Sequence, residues 1–217
     1  MTLGRTAAAP SLAEQAYRVL EQKLVTLELP PGAVISEGQL IDLTGLGRTP
    51  VREAMQRLAN QELFEVMPRR GLLVAPVSLP AMLHILEARR PLERVIVQRA
   101  ALNARDEQRS GLSAIARNLA TAHDNFEAFL GHAQGLEELL DRCAGNPYAS
   151  AAVAPLRSHC RRFWYCYRQR LQLSDVLTAH ANMARLIARR DQHGAQKAVD
   201  GVISVLERLV ASVDRLG

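Results

Sequence analysis

The sequence predicts a mainly α-helical chain in two parts. Residues 1–77 read as a helix-turn-helix with a small β-hairpin, and residues 78–217 as an antiparallel α-helical bundle. Apolar residues recur at three- and four-residue intervals through most of the chain, the period of a buried helical face. The exception is one place where Leu63-Phe-Glu-Val-Met67 and Leu72-Leu-Val-Ala75 flank a Gly-containing turn, the pattern of a hairpin. From Ser78 onward no strand-like alternation occurs.

In the first part, Leu12, Ala16, Val19, Leu20, Leu24 and Leu27 line one face of a helix over residues 11–27, which Leu29-Pro-Pro-Gly32 stops. Ser36 and Gln39 have capping-box spacing and open a short helix through Leu40, Ile41 and Leu43. Thr44-Gly-Leu-Gly47 makes a tight turn. Thr49 as N-cap and Pro50 as first helical residue then start a third helix reaching Asn60. Its inward face is Val51, Ala54, Met55 and Leu58, while Arg48, Arg52 and Gln56 point away. A helix, a tight turn and a helix with arginines at its N-terminal end form a helix-turn-helix. The hairpin that follows carries Arg69 and Arg70 at its tip. In that position it is a wing, able to reach phosphates or the minor groove.

Ser78 caps a long helix to Asn103, with Pro91 expected to kink it. Further helices are expected at 106–121, 124–142, 147–171, 174–190 and 193–215, and short links between amphipathic helices predict an antiparallel bundle.

Composition narrows the function. Hydrophobic residues are 48% and charged residues 23% of 217, an ordinary globular balance. No apolar run approaches the ~18–20 residues of a membrane span. The first ten residues lack a signal-peptide core, and Cys143, Cys160 and Cys166 form no metal or disulfide framework. A cytoplasmic location is expected. The net charge of +5 lies entirely in the second part: residues 1–77 hold eight bases and eight acids, residues 78–217 nineteen bases and fourteen acids. Any nucleic-acid affinity of the first part therefore rests on placed arginines rather than bulk charge.

Leu29-Pro-Pro-Gly-Ala-Val-Ile-Ser-Glu37, Gly47-Arg-Thr-Pro-Val-Arg-Glu-Ala-Met55 and Pro68-Arg-Arg-Gly71 together resemble the winged helix of the GntR family of bacterial transcription regulators, over about residues 12–77. The resemblance implies DNA contacts by Arg48, Thr49 and Arg52 from the recognition helix and by Arg70 and Gly71 from the wing. Arginines there suit bidentate guanine or phosphate contacts, and Thr49 a phosphate contact. Gly38 and Gly47 depart from the family pattern, which bears on operator sequence or affinity rather than on the fold.

The second part resembles the FadR-type effector domain, FCD. The resemblance rests on Glu87-Ala-Arg-Arg-Pro-Leu-Glu93, Phe126-Glu-Ala-Phe-Leu130, Ala144-Gly-Asn-Pro147, Ala179-His180 and Arg190-Asp191. Many members hold a divalent metal through one Asp and three His. Matched by spacing, those positions are Ala133, Glu137, His180 and Val202 here. Alanine and valine cannot ligate, and two ligands fall short of the three protein ligands usual for a divalent site. No metal cofactor is expected. His84, His123, His132, His159 and His193 are scattered and suggest no replacement set.

The resemblance places a carboxylate-binding arginine at Arg89 or, one register on, at Arg90. Arg89, Glu137 and His180 are thus the candidate effector-binding residues, and an organic acid the candidate effector. Residues 157–170 carry five arginines with Phe163, Trp164, Tyr165 and Tyr167. Two readings stay open. The segment is a pocket wall whose aromatics stack on an effector while an inward arginine pairs with its charge. Alternatively, the aromatics fill the core or a dimer interface and the arginines stay solvated.

The expectation is a homodimeric, ligand-responsive DNA-binding regulator, a repressor on family grounds, on a palindromic operator, with coupling through the segment near Ser78. The alternative is a ligand-independent dimeric regulator with a vestigial effector and metal site. No nucleophile–base set or convergent carboxylates point to an enzyme.

Overall fold

The computed structural model describes residues 9–122 and 125–215; His123 lies outside them. The chain divides after Val77 into two compact units.

In the first unit, α1 (Leu12–Val25) starts where the Ser11 hydroxyl accepts from the Glu14 N–H at 3.1 Å, and it buries Ala16, Tyr17, Leu20 and Leu24. The short strand β1 (Val34–Ile35) precedes α2 (Glu37–Thr44). Ser36 and Gln39 form the expected reciprocal capping box on α2, and Gly45 ends it in the left-handed conformation. The third helix, α3 (Arg48–Asn60), begins earlier than expected: Gly47, not Thr49, is its N-cap, without a side-chain bond. Pro50 still fits, because the first N–H groups of a helix have no intrahelical acceptor to lose.

The strands β2 (Phe64–Met67) and β3 (Gly71–Val74) form the expected hairpin. It is not alone: β1 pairs antiparallel with β3 in the order β1-β3-β2, with Val34 opposite Leu73 and Val66 opposite Leu72. Ile35, Phe64, Leu72 and Val74 close the sheet onto Leu20, Leu24, Val51 and Leu58, one apolar core.

The second unit is a helical bundle of α4 (Leu79–Asn103), α5 (Asp106–Thr121), α6 (Phe126–Ala144), α7 (Pro147–Cys166), α8 (Leu173–Ala188) and α9 (Gln192–Asp214). Ser78, Asn125, Asn146 and Asp191 cap four of these with side-chain oxygens. The helix α4 continues through Pro91 and packs on α6, α7 and α9, while α5 packs on α6 and α8. The expected helix over 147–171 ends at Cys166 and gives way to a 3₁₀ turn, Arg168–Arg170. No described helix is long and apolar enough to cross a membrane.

Candidate functional site

Two sets of side chains stand out, one in each unit. On the first unit, Arg48 and Thr49 open α3 and are exposed, and Arg52 follows one turn later with 71% of its side chain exposed. Arg69 and Arg70 are exposed at the hairpin tip, where the Arg70 N–H donates to the Met67 carbonyl at 3.0 Å. A groove of about 600 Å³ runs between Arg52, Met55 and Gln56 on α3 and Val66, Met67 and Arg69 on the hairpin, with Glu37 at its edge.

Two further arginines of this unit, Arg18 and Arg57, are engaged elsewhere. Arg18 and Arg57 both pair with Glu14, at 2.9 and 2.7 Å, and Arg57 also lies 3.7 Å from the Tyr17 ring centroid. Glu14 is held below the usual carboxylate range because these two cations outweigh its partial burial. Among the described residues, Arg48, Arg69 and Arg70 form no ion pair, and Arg52 pairs with Glu37 at 2.9 Å. Gly71 has φ +110°, and a Cβ there would sit 2.5 Å from the Ile35 carbonyl oxygen. Its glycine is thus required by the approach of β1, a role independent of any DNA contact.

In the second unit, three helices each contribute a charged pair at i,i+4 spacing: Arg89 and Glu93 on α4, Glu137 and Asp141 on α6, and Arg157 and Arg161 on α7. Arg89, Glu93, Arg157 and Arg161 are buried. Glu93 pairs with Arg89 at 2.9 Å and with Arg157 at 2.8 Å. Glu137 meets Arg89 at 3.4 Å, Arg157 at 3.8 Å and also Arg161, while Asp141 pairs with Arg157 at 2.9 Å. Burial alone would raise the Glu93 carboxyl, but Arg157 and Arg89 overcome it and hold it at about 2. The same carboxylates push the two arginines above their ordinary range against burial. Burial raises Asp141, which Arg157 only partly offsets.

His180 is buried edge-on to Phe129 and Trp164, with ring centroids 5.3 and 5.4 Å away. Burial pushes it down to about 4. Its Nδ1 lies 2.8 Å from the Val176 carbonyl, so the neutral ring donates there and leaves Nε2 as an acceptor. Arg89 Nη1, Asp141 Oδ1 and Trp164 Nε1 are buried without a hydrogen-bond partner among the described residues.

Of the sequence candidates, Arg89 and Glu137 are therefore in contact, and His180 stands in the electrostatic field of both. The alternative register is excluded for the interior: Arg90 turns to α9, pairing with Asp200 at 3.3 Å and Glu207 at 2.5 Å. Ala133 and Val202 are buried. No group of three metal-binding side chains occurs among the described residues. Residues 157–170 follow neither expectation wholly: Phe163 and Trp164 are core, but Arg157, Arg161 and Arg162 are buried with them, and of the five arginines only Arg168 and Arg170 are exposed. Sequence reasoning missed Glu93, Asp141, Arg157 and Arg161 as one network. The legible signal was three i,i+4 charge pairs on three helices.

Comparison with known proteins adds the following. Residues 12–74 match the family of bacterial regulatory proteins described as gntR, and residues 84–204 match the FCD domain. The HTH-type transcriptional repressor RspR of Escherichia coli K12 is 23% identical over 189 residues, covering 86% of this chain and 83% of that protein. The HTH-type transcriptional repressor GlaR of the same strain is 29% identical over 162 residues, covering 74% and 68%. The E. coli McbR/YncC structure superposes with a TM-score of 0.81 at 19% identity, covering 94% of this chain and 99% of that one, a likeness of fold.

Proposed function

This chain belongs to the gntR family of bacterial regulatory proteins, in the branch carrying an FCD domain, and on that premise we propose how it regulates transcription. It is a transcription regulator and not an enzyme. It works as a cytoplasmic homodimer that represses from a palindromic operator, two copies of α3 entering successive half-sites. Arg48, Thr49 and Arg52 face the bases and phosphates, and Arg70 and Gly71 bring the wing to the backbone. The observation that carries this reading is the placement of four exposed arginines: Arg48 and Arg52 on the first turns of α3 and Arg69 and Arg70 at the hairpin tip, with Arg52 and Arg69 lining the groove between them. Duplexes selected by the full chain from a random library test it. An inverted repeat is expected, and no enrichment contradicts it.

The bundle binds a small organic acid beside Arg89, Glu137 and His180, and the ligand shifts the population between DNA-competent and incompetent arrangements. Supporting this, Arg89 Nη1–H and Trp164 Nε1–H are buried donors with no acceptor among the described residues, groups a carboxylate would satisfy. The divalent metal of many relatives does not fit. Two of its four ligand positions are Ala133 and Val202, and Glu137 is already surrounded by three guanidinium groups. No metal cofactor is used.

A second reading is a ligand-independent dimeric regulator with a vestigial site, favoured by the mutual neutralisation of three arginines and three carboxylates in the cluster. A melting-temperature screen with small carboxylates, aromatic acids and divalent metals separates the two. Stabilisation by an acid supports the effector site. Stabilisation by a metal, reversed by chelator, contradicts the metal-free site.

A further inference from the structure

We propose that Glu37 is a positioning residue for DNA reading: its carboxylate holds Arg52 by Nε and so presents the outer guanidinium edge to a base. The inference rests on the reading of Arg52 as a DNA-facing residue. Glu37 is the first residue of α2 and lies within the Ser36–Gln39 capping box, so its backbone is fixed on both sides. It sits at a helix N-terminus, where the helix dipole favours a carboxylate. Its side chain is 30% exposed against 71% for Arg52. The less mobile partner is therefore the acid, and the long arginine is the group being placed.

The atoms matter more than the charge. The contact is Arg52 Nε to Glu37 Oε2 at 2.9 Å, and no other bond to Arg52 is found among the described residues. Nε–H is thereby consumed, while the Nη1 and Nη2 hydrogens on the far edge remain. Two parallel N–H groups from that edge are the donors that read guanine O6 and N7. A latch that kept Arg52 off DNA would occupy the Nη groups instead. Both residues border the groove between α3 and the wing.

Such a role separates specific from general affinity. A carboxylate on a DNA-facing surface repels every phosphate backbone, so it costs binding to any duplex. It is useful only where ordering Arg52 discriminates among bases. Removing it should lower the preference for the correct sequence while leaving binding to other DNA equal or tighter. A residue that merely supported the fold would lower both.

The test uses the full chain, a duplex selected by the wild type from a random library, and a scrambled duplex of equal length and composition. Glu37→Ala is expected to reduce the selected-to-scrambled affinity ratio about tenfold, within the discrimination ascribed to one bidentate contact. Scrambled binding should not weaken. Glu37→Gln keeps an acceptor for Nε–H and should fall between, and circular dichroism checks that both variants fold. In an Arg52→Ala background, Glu37→Ala should change the ratio less than about twofold, since the effect passes through Arg52. An unchanged ratio in Glu37→Ala, a raised one, or an equal loss with Arg52 absent overturns the positioning role. A ratio unaffected by Arg52→Ala overturns the reading of Arg52 as well, so the two failures are told apart.

Discussion

Glu93→Gln in the bundle tests whether the buried charges behave as one network. The substitution keeps the size of the side chain but removes the carboxylate that pairs with Arg89 at 2.9 Å and Arg157 at 2.8 Å. Both cations are buried, and Arg89 already has one unmet N–H, so no solvent is at hand to replace the partner. Breaking a buried pair from one side costs about 3–5 kcal/mol. The proton linkage gives a similar figure. Lowering this carboxyl from 4.5 to about 2 corresponds to about 3 kcal/mol of native-state stabilisation. For a unit of this size each kcal/mol moves the melting temperature by about 2–4 °C, so a drop on the order of 10 °C is expected.

The only tryptophan, Trp164, is fully buried in the same unit, so its fluorescence reports this unit's melting. The pH dependence supplies a second check. Because the folded carboxyl lies below its unfolded value, its contribution is complete above about 4.5 and is lost as pH falls toward about 2. Glu93→Gln should lack that part of the acid slope. A variant that melts within about 2 °C of the wild type, with the slope intact, would refute the network.

Other outcomes follow from the same geometry. Glu93→Leu combined with Arg157→Leu should destabilise less than Glu93→Leu alone, since an apolar pair leaves fewer orphaned charges; a double-mutant melting cycle reads this. His180 lies at about 4 against an ordinary 6.5, so the wild type should lose stability as pH falls from 6.5 toward 4, by about 3 kcal/mol in all; His180→Gln should flatten that window in pH-dependent denaturation. Gly71→Ala forces a Cβ toward the Ile35 carbonyl at φ +110° and should cost about 2–4 kcal/mol in the first unit, followed by denaturant unfolding. Arg52→Ala should weaken operator binding, with a salt slope smaller by about one if a phosphate contact is lost. Arg57→Ala, whose guanidinium is held by Glu14 and Tyr17, should leave operator binding nearly unchanged.

Much of this was legible in the residues. Local chemistry set most helix starts: Ser11, Ser36, Ser78, Asn125, Asn146 and Asp191 each cap through a side-chain oxygen. The third strand was not legible. Val34 and Ile35 follow two prolines and a glycine, and only pairing with a distant segment makes them a strand. Bonds from Gly32 N–H to the Val74 carbonyl and from Val74 N–H to the Ala33 carbonyl, at 2.9 and 2.8 Å, complete that tie. The end of α7 at Cys166 was equally hidden, because no proline or glycine follows it before the 3₁₀ turn.

At the candidate sites, single residues were visible but their partners were not. Arg89 and Glu137 could be singled out one by one, yet Arg157 and Arg161 looked like any arginines on a helix, which are normally solvated. Their burial depends on two acidic positions on α6 facing two basic positions on α7, a match that exists only once the bundle has formed. Gly71 shows the converse. Its place in the wing motif pointed to DNA, while the structure gives it a steric duty toward β1.

The most direct measurement of DNA recognition by α3 and the wing is an anisotropy titration of the full chain on a duplex it selects, beside the triple variant Arg48→Ala, Arg52→Ala, Arg70→Ala. The wild type should prefer that duplex over a scrambled one by a factor on the order of 10³ or more. The triple variant should lose the preference while melting like the wild type, since all three side chains are exposed. Equal preference in the two proteins would contradict recognition through this surface.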